Sequence, residues 1–339
     1  MTPTGSGLAE VRSANGMNGL LAAALARLRK AAFRIAPEET TFRKRGFRPG
    51  RLEAQIKLER IGGTFVSGYH AALECRHTGE LAALLDAMDL ELRGFAFEGA
   101  AMALTLLDHL APWRQSRFAE FLSGPGGRHA YMLHIGAGWA YARLPWLRFQ
   151  PDHAARHFDP LMRWLTLDGF GFHEGYFAWT RAGESQAIPR GIRGYARRAF
   201  DRGLGRSLWF VNCADAKRVT ETILRFDESR RADLWSGIGL ACAYAGAYTE
   251  MDLAELCEAA DGYRAELAQG AAFAAKARLR AGNLVAHTER ACETICGTSA
   301  LEAAAVTDAA LKNLPRDGPE PAFEIWRRRI QQEFATVRR

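Results

Sequence analysis

The sequence has no apolar run of the ~20 residues needed to cross a bilayer. Its longest uncharged stretch, residues 234–249, is interrupted by three glycines and a serine. No basic segment leads into an apolar one within residues 1–19, so no export signal is read there. A cytoplasmic protein is expected, and its six cysteines are expected as free thiols. No CxxC occurs; Cys292 and Cys296 are spaced as helix neighbours. G-x-G-x-x-G and G-x-S-x-G are missing, which argues against a dinucleotide loop and a nucleophile elbow. H-E-x-x-H fails because Phe177 stands where the second histidine belongs, and no D-D-x-x-D is present.

The body of the chain also lacks net charge. The formal charge is +7, but residues 1–60 hold 12 Lys/Arg against 5 Asp/Glu, and the remainder holds 33 of each. A nucleic-acid-binding body carries a basic excess, so no nucleic-acid partner is expected. Residues 20–34, LLAAALARLRKAAFR, read as an amphipathic basic helix. They suit docking on the body or peripheral contact with an anionic membrane. The expected organisation is a disordered N-terminus over 1–19, a basic helix and linker over 20–60, and one domain over 61–335.

What is present is a repeat. Gly136, Gly169, Gly203 and Gly237 each begin a G-x-G, 33, 34 and 34 residues apart, and the period extends to Gly270 and back to Gly99 and Gly68. About 34 residues is one helix–turn–helix unit. The strings from GYHAALE to GAAFAAK are small-residue-rich, and polar segments and then amphipathic runs such as HFDPLMRWLTL and KRVTETILRF are read as second helices. Glycine weakens a helix by ~1 kcal/mol against alanine, so these helices are expected to pack backbone against backbone. The predicted fold is all-α: helical hairpins stacked as an α-solenoid of the tetratricopeptide kind, or an α/α ring if the row closes.

Sibling repeats act as internal controls. Four residues after the first glycine, six copies carry Ala or Ser and the fourth carries His173; one residue further, six are apolar and the fourth is Glu174. Counted in the same way, His70, Arg206, Glu98, Asp168 and His134 also depart from the repeat. A charge at a packed position is costly unless paired or used. These residues are candidate acid/base groups, with Arg206 as an anchor for an anion. His173 and Glu174 are candidate metal ligands. The structural alternative is an ion pair of Arg206 with Glu174 or Asp168 that fixes helix register. Trp139, Phe172, Tyr176, Trp209 and Trp235 are candidate ligand-contacting rings.

The strings LRGFAFEGAAMAL, YMLHIGAGWAYARLP, LDGFGFHEGYF, FDRGLGRSLWF, RRADLWSGIGLACAYAG and QGAAFAAKARLRAG resemble an uncharacterised family encoded in enediyne biosynthetic gene clusters beside the iterative polyketide synthase. The resemblance covers roughly residues 40–335. It implies a role in converting a linear conjugated polyene toward the alkyne-bearing core, with other pathway proteins as partners. Making an alkyne from an alkene is an oxidation. A divalent metal such as iron, held by His and carboxylates, is one route to a desaturase-like reaction. The competing expectation is a non-catalytic helical scaffold that holds the polyene or gathers pathway proteins.

Overall fold

A glycine-rich helix persists only where the missing side chain lets a neighbour come close. In the computed structural model, which describes residues 29–111, 117–144, 146, 156 and 158–336, all seven glycine-bearing strings are helical. They form α1 (Leu52–Glu74), α3 (Arg93–Leu110), α5 (Ala130–Arg143), α6 (Arg163–Phe177), α7 (Tyr195–Val211), α9 (Glu228–Ala245) and α11 (Arg264–Ala281). Shorter helices α2 (Thr78–Asp86), α4 (Arg117–Ser123), α8 (Ala216–Leu224) and α10 (Glu250–Ala259) lie between them. Three further helices, α12 (Ala286–Cys296), α13 (Ala300–Leu311) and α14 (Ala322–Thr336), follow α11. The fold is all-α, with no strand among the described residues.

Each long helix packs on the next, and ring and polar contacts show that neighbours run parallel. Phe97 near the start of α3 stacks on His129 just before α5, and His109 near the end of α3 meets Tyr141 near the end of α5. Trp164 and Tyr195 pair near the starts of α6 and α7, while Tyr176 and Phe210 meet near their ends. Arg230 donates to Asp201 in the first halves of α9 and α7, and Trp209 Nε1 donates to the Gly246 carbonyl at their far ends, at 2.9 Å.

The paired glycines have separate partners. A Cβ on Gly136, Gly169, Gly203 or Gly237 would fall 1.8–2.1 Å from a backbone oxygen of the preceding long helix. One on Gly138, Gly171, Gly205 or Gly239 would fall 1.9–2.3 Å from an oxygen of the following one. Positions two apart lie ~200° apart around a helix, so G-x-G opens both flanks. Gly99 and Gly270 meet only the preceding helix, whereas Gly68 meets the following one, at Ala96. Gly68 is therefore equivalent to a second glycine, which shifts the first repeat by two residues from the reading above. His70 then stands in the register of His173.

Three further expectations change. The glycines lie inside the helices rather than at their starts, because close packing is needed where axes cross. The run HFDPLMRWLTL is not a second helix: residues 163–167 open α6 itself, and a π-helical turn at Thr180–Glu184 leads toward α7. The body begins at Leu52, and residues 35–51 are not a free linker. They cross the C-terminal ends of α6, α7 and α9: Phe47 packs on Tyr176 at 4.8 Å, Arg48 N–H donates to the Val211 carbonyl at 3.0 Å and Arg51 to that of Ala247 at 2.7 Å. Residues 1–28, with most of the proposed membrane-contacting helix, lie outside the described residues. No helix among the described residues is long and apolar enough to cross a membrane.

The row curls on itself. Phe65 of α1 packs on Trp139 of α5 at 4.4 Å, and Phe95 of α3 meets Tyr244 of α9 at 5.2 Å. At the other end α14 is locked to the curled row by Arg327, fully buried, which donates to Asp233 at 2.8 Å, to Glu324 at 2.9 Å and to Gln269 at 3.1 Å.

Candidate functional site

If the glycine positions face the flanks, the residues one before and three and seven after the first glycine share the remaining inward direction, within ~60° of it. Those positions supply Glu98 on α3, Trp139 on α5, Phe172 and Tyr176 on α6, Arg206 and Phe210 on α7, and Leu240 and Tyr244 on α9. All of them line one interior cavity. Phe65 and Ile61 of α1 and Met132 of α5 complete its apolar wall, and Ile35 and Thr40 of the N-terminal strap close one side. The cavity encloses about 650 Å³ free of atoms, part of it open to solvent.

Glu98 and Arg206 are the charged side chains among its described lining. Glu98 is 2% exposed, and its Oε1 accepts from Trp139 Nε1 at 3.0 Å. Arg206 Nη2 stands 3.7 Å from the same oxygen, too far for a direct hydrogen bond. Its Nη1 donates to Asp168, which also accepts from Arg202 Nε at 2.6 Å. Glu98 Oε2 and Arg206 Nη2 have no hydrogen-bond partner among the described residues, yet neither is sealed from the cavity space. Burial raises the Glu98 pKa from 4.5 to about 7; Arg206 and the Trp139 hydrogen bond oppose the rise and Asp168 adds to it. The cavity therefore holds one carboxyl group able to take or give a proton near neutrality. The Arg206 guanidinium also lies 4.9 Å above the Phe172 ring, which holds its plane.

The predicted site residues thus divide. Glu98, Arg206, Trp139, Phe172 and Tyr176 line the cavity, and Asp168, fully buried, stands behind Arg206. His173 lies just off the wall, edge-on to Trp139 at 5.7 Å. Glu174 points elsewhere and is paired with Arg181. His173 Nδ1 is 3.6 Å from Glu174 Oε1, but no group of three or more His, Cys, Asp or Glu side chains is placed to hold a metal among the described residues. The pair supplies at most two donors, one carboxylate already engaged by Arg181, so it does not form a metal centre there. His70 Nε2 accepts the Ile35 N–H at 3.2 Å and tethers the strap; burial lowers its pKa, and Lys30 and Arg34 add to that. His134 faces a separate recess with Thr105, Phe118 and Tyr141. Trp209 and Trp235 are packed in the core outside the cavity.

Sequence reasoning missed Phe65, Phe95, Met132 and Leu240, and did not single out Phe210 and Tyr244 from the other rings near the glycines. Projecting the aligned repeats on a helical wheel finds Phe210 and Tyr244, because both share the position of Tyr176. Nothing in the repeat signals the strap residues Ile35 and Thr40.

No curated protein and no solved structure matches the chain. A family model described as "Protein of unknown function (DUF1702)" matches residues 24–334, which spans every helix that builds the cavity. The chain belongs to the DUF1702 family of proteins of unknown function.

Proposed function

We propose that the cavity binds a linear conjugated polyene of polyketide origin and that Glu98 moves a proton on it, as one step toward an enediyne core. The observation that carries this reading is a carboxyl group with a free oxygen in an aromatic-walled cavity, poised near pH 7. The resemblance to proteins encoded beside enediyne synthases supports the choice of polyene. Glu98 in its protonated form gives its proton to one carbon of the conjugated system, the double bonds shift, and the carboxylate so formed takes a proton from an allylic C–H further along the chain. The step is a redox-neutral shift of double bonds. Arg206, held in place by Asp168, stabilises the Glu98 carboxylate between the two transfers. Aromatic walls exclude water and hold the chain extended. No step is routed through a metal.

The test is Glu98→Gln in a host that supplies the linear polyene. The expected result is a folded variant that accumulates the unchanged polyene and loses the downstream product. Undiminished product would leave the chain as a polyene-binding scaffold.

A further inference from the structure

Resting on that cavity reading, the electrostatics of Glu98 and Arg206 specify more than a hydrocarbon. Glu98 and Asp168 balance Arg202 and Arg206 only while Glu98 is ionised. Once Glu98 is protonated, one positive charge is left over, and the free edge of Arg206 is where it meets the cavity. An ion in so apolar a place is expensive without a counter-charge. A ligand carboxylate within reach of Arg206 Nη2 would also lie beside Glu98, because the two groups are 3.7 Å apart. Two carboxyl groups that close do not both ionise, so one keeps a proton.

The groups facing Glu98 leave it as the one that changes. Trp139 of α5 donates to it and does not titrate. Asp168 of α6 is already bound by two arginines. Tyr244 of α9 has its pKa raised, chiefly by burial, with Arg278 opposing from its other side. From α1 come only Ile61, Gly62, Phe65 and Val66. We infer that the ligand is a conjugated chain ending in a carboxylate, a polyenoic acid, whose head pairs with Arg206 and whose binding transfers one proton from solvent to Glu98.

The probe is cis-parinaric acid, a fluorescent tetraene carboxylic acid, beside its methyl ester, titrated from pH 6 to pH 9. With the wild-type protein, acid affinity is expected to be flat below about pH 7. Above it, affinity should fall about tenfold per pH unit, because each binding event then requires a proton. Ester binding is expected to be independent of pH. Folded Glu98→Gln is neutral at every pH and should bind the acid without the slope. Calorimetry at pH 8 in buffers of different ionisation enthalpy should count about one proton taken up by wild type and none by Glu98→Gln. Equal binding of acid and ester, or a slope that survives in Glu98→Gln, would overturn the carboxylate assignment and leave the polyene reading standing. Failure of both probes to bind would overturn both.

Discussion

The raised pKa of Glu98 has a consequence for stability that needs no substrate. The unfolded chain releases this proton near pH 4.5, and the folded protein holds it to about pH 7. Between those values the folded state binds more protons, so stability falls as pH rises. The stabilising contribution is complete below pH 4.5 and lost once pH passes 7. At ~1.4 kcal/mol for each tenfold change, the rise corresponds to ~3 kcal/mol. Full burial of the carboxyl group means that solvent screening does not reduce this much. Glutamine keeps the acceptor for Trp139 Nε1 but cannot ionise. The measurement is urea unfolding of wild type and Glu98→Gln at pH 5, 6, 7 and 8, taking the difference between the two at each pH. Other carboxylates largely cancel in that difference. It is expected to move by ~2.5 kcal/mol in favour of glutamine from pH 5 to pH 8. A difference flat to within ~0.5 kcal/mol would refute the electrostatic account of the cavity.

Three further variants test the packing. Gly203→Ala puts a Cβ 1.8 Å from the Asp168 carbonyl oxygen, a backbone atom that cannot swing aside; thermal unfolding should show a loss of ~3 kcal/mol or more. By contrast Gly63→Ala, with nothing within 4 Å of its new methyl group, should gain ~0.5–1 kcal/mol from helix propensity alone. Arg327→Met leaves Asp233 and Glu324 buried with less positive charge around them. It is expected to cost ~3–5 kcal/mol in denaturant unfolding, with part recovered when Asp233→Asn is added.

The repeat and its backbone-to-backbone packing were legible because glycine has few other reasons to recur at such a period in helices. The site was half legible. Counting departures from sibling repeats weighed every position alike, whereas the helix turn gives each a direction. Positions one before and three after the first glycine face inward, so Glu98, Asp168, Trp139, Phe172 and Arg206 were found. Positions four and five after it turn toward a flank or outward, so His173 and Glu174, the departures most noticeable in sequence, stand off the wall. The structural alternative was partly right as well: Arg206 does pair with Asp168, and the same arginine keeps a free edge in the cavity. His70 was misplaced because one glycine was assigned to the wrong flank. The strap and α14 lie outside the repeat, and periodicity says nothing about where such segments dock.

That division of labour assigns the cavity to specific parts of the chain. Repeated helices make walls, and a row of parallel helices alone would leave a trough open at both ends. Here the trough is curled tightly enough for Arg206 on α7 to approach Glu98 on α3, although α5 and α6 intervene in the row. Such tightness depends on the G-x-G flanks, because a methyl group at any of those glycines would push two backbones apart. The packing device and the proton-active pair are therefore one feature seen at two scales. One side is closed separately, by the strap at Ile35 and Thr40, whereas α14, held by Arg327, packs on the row away from the cavity. The repeated helices thus fix the chemistry that the cavity wall presents, and a segment outside the repeat covers it.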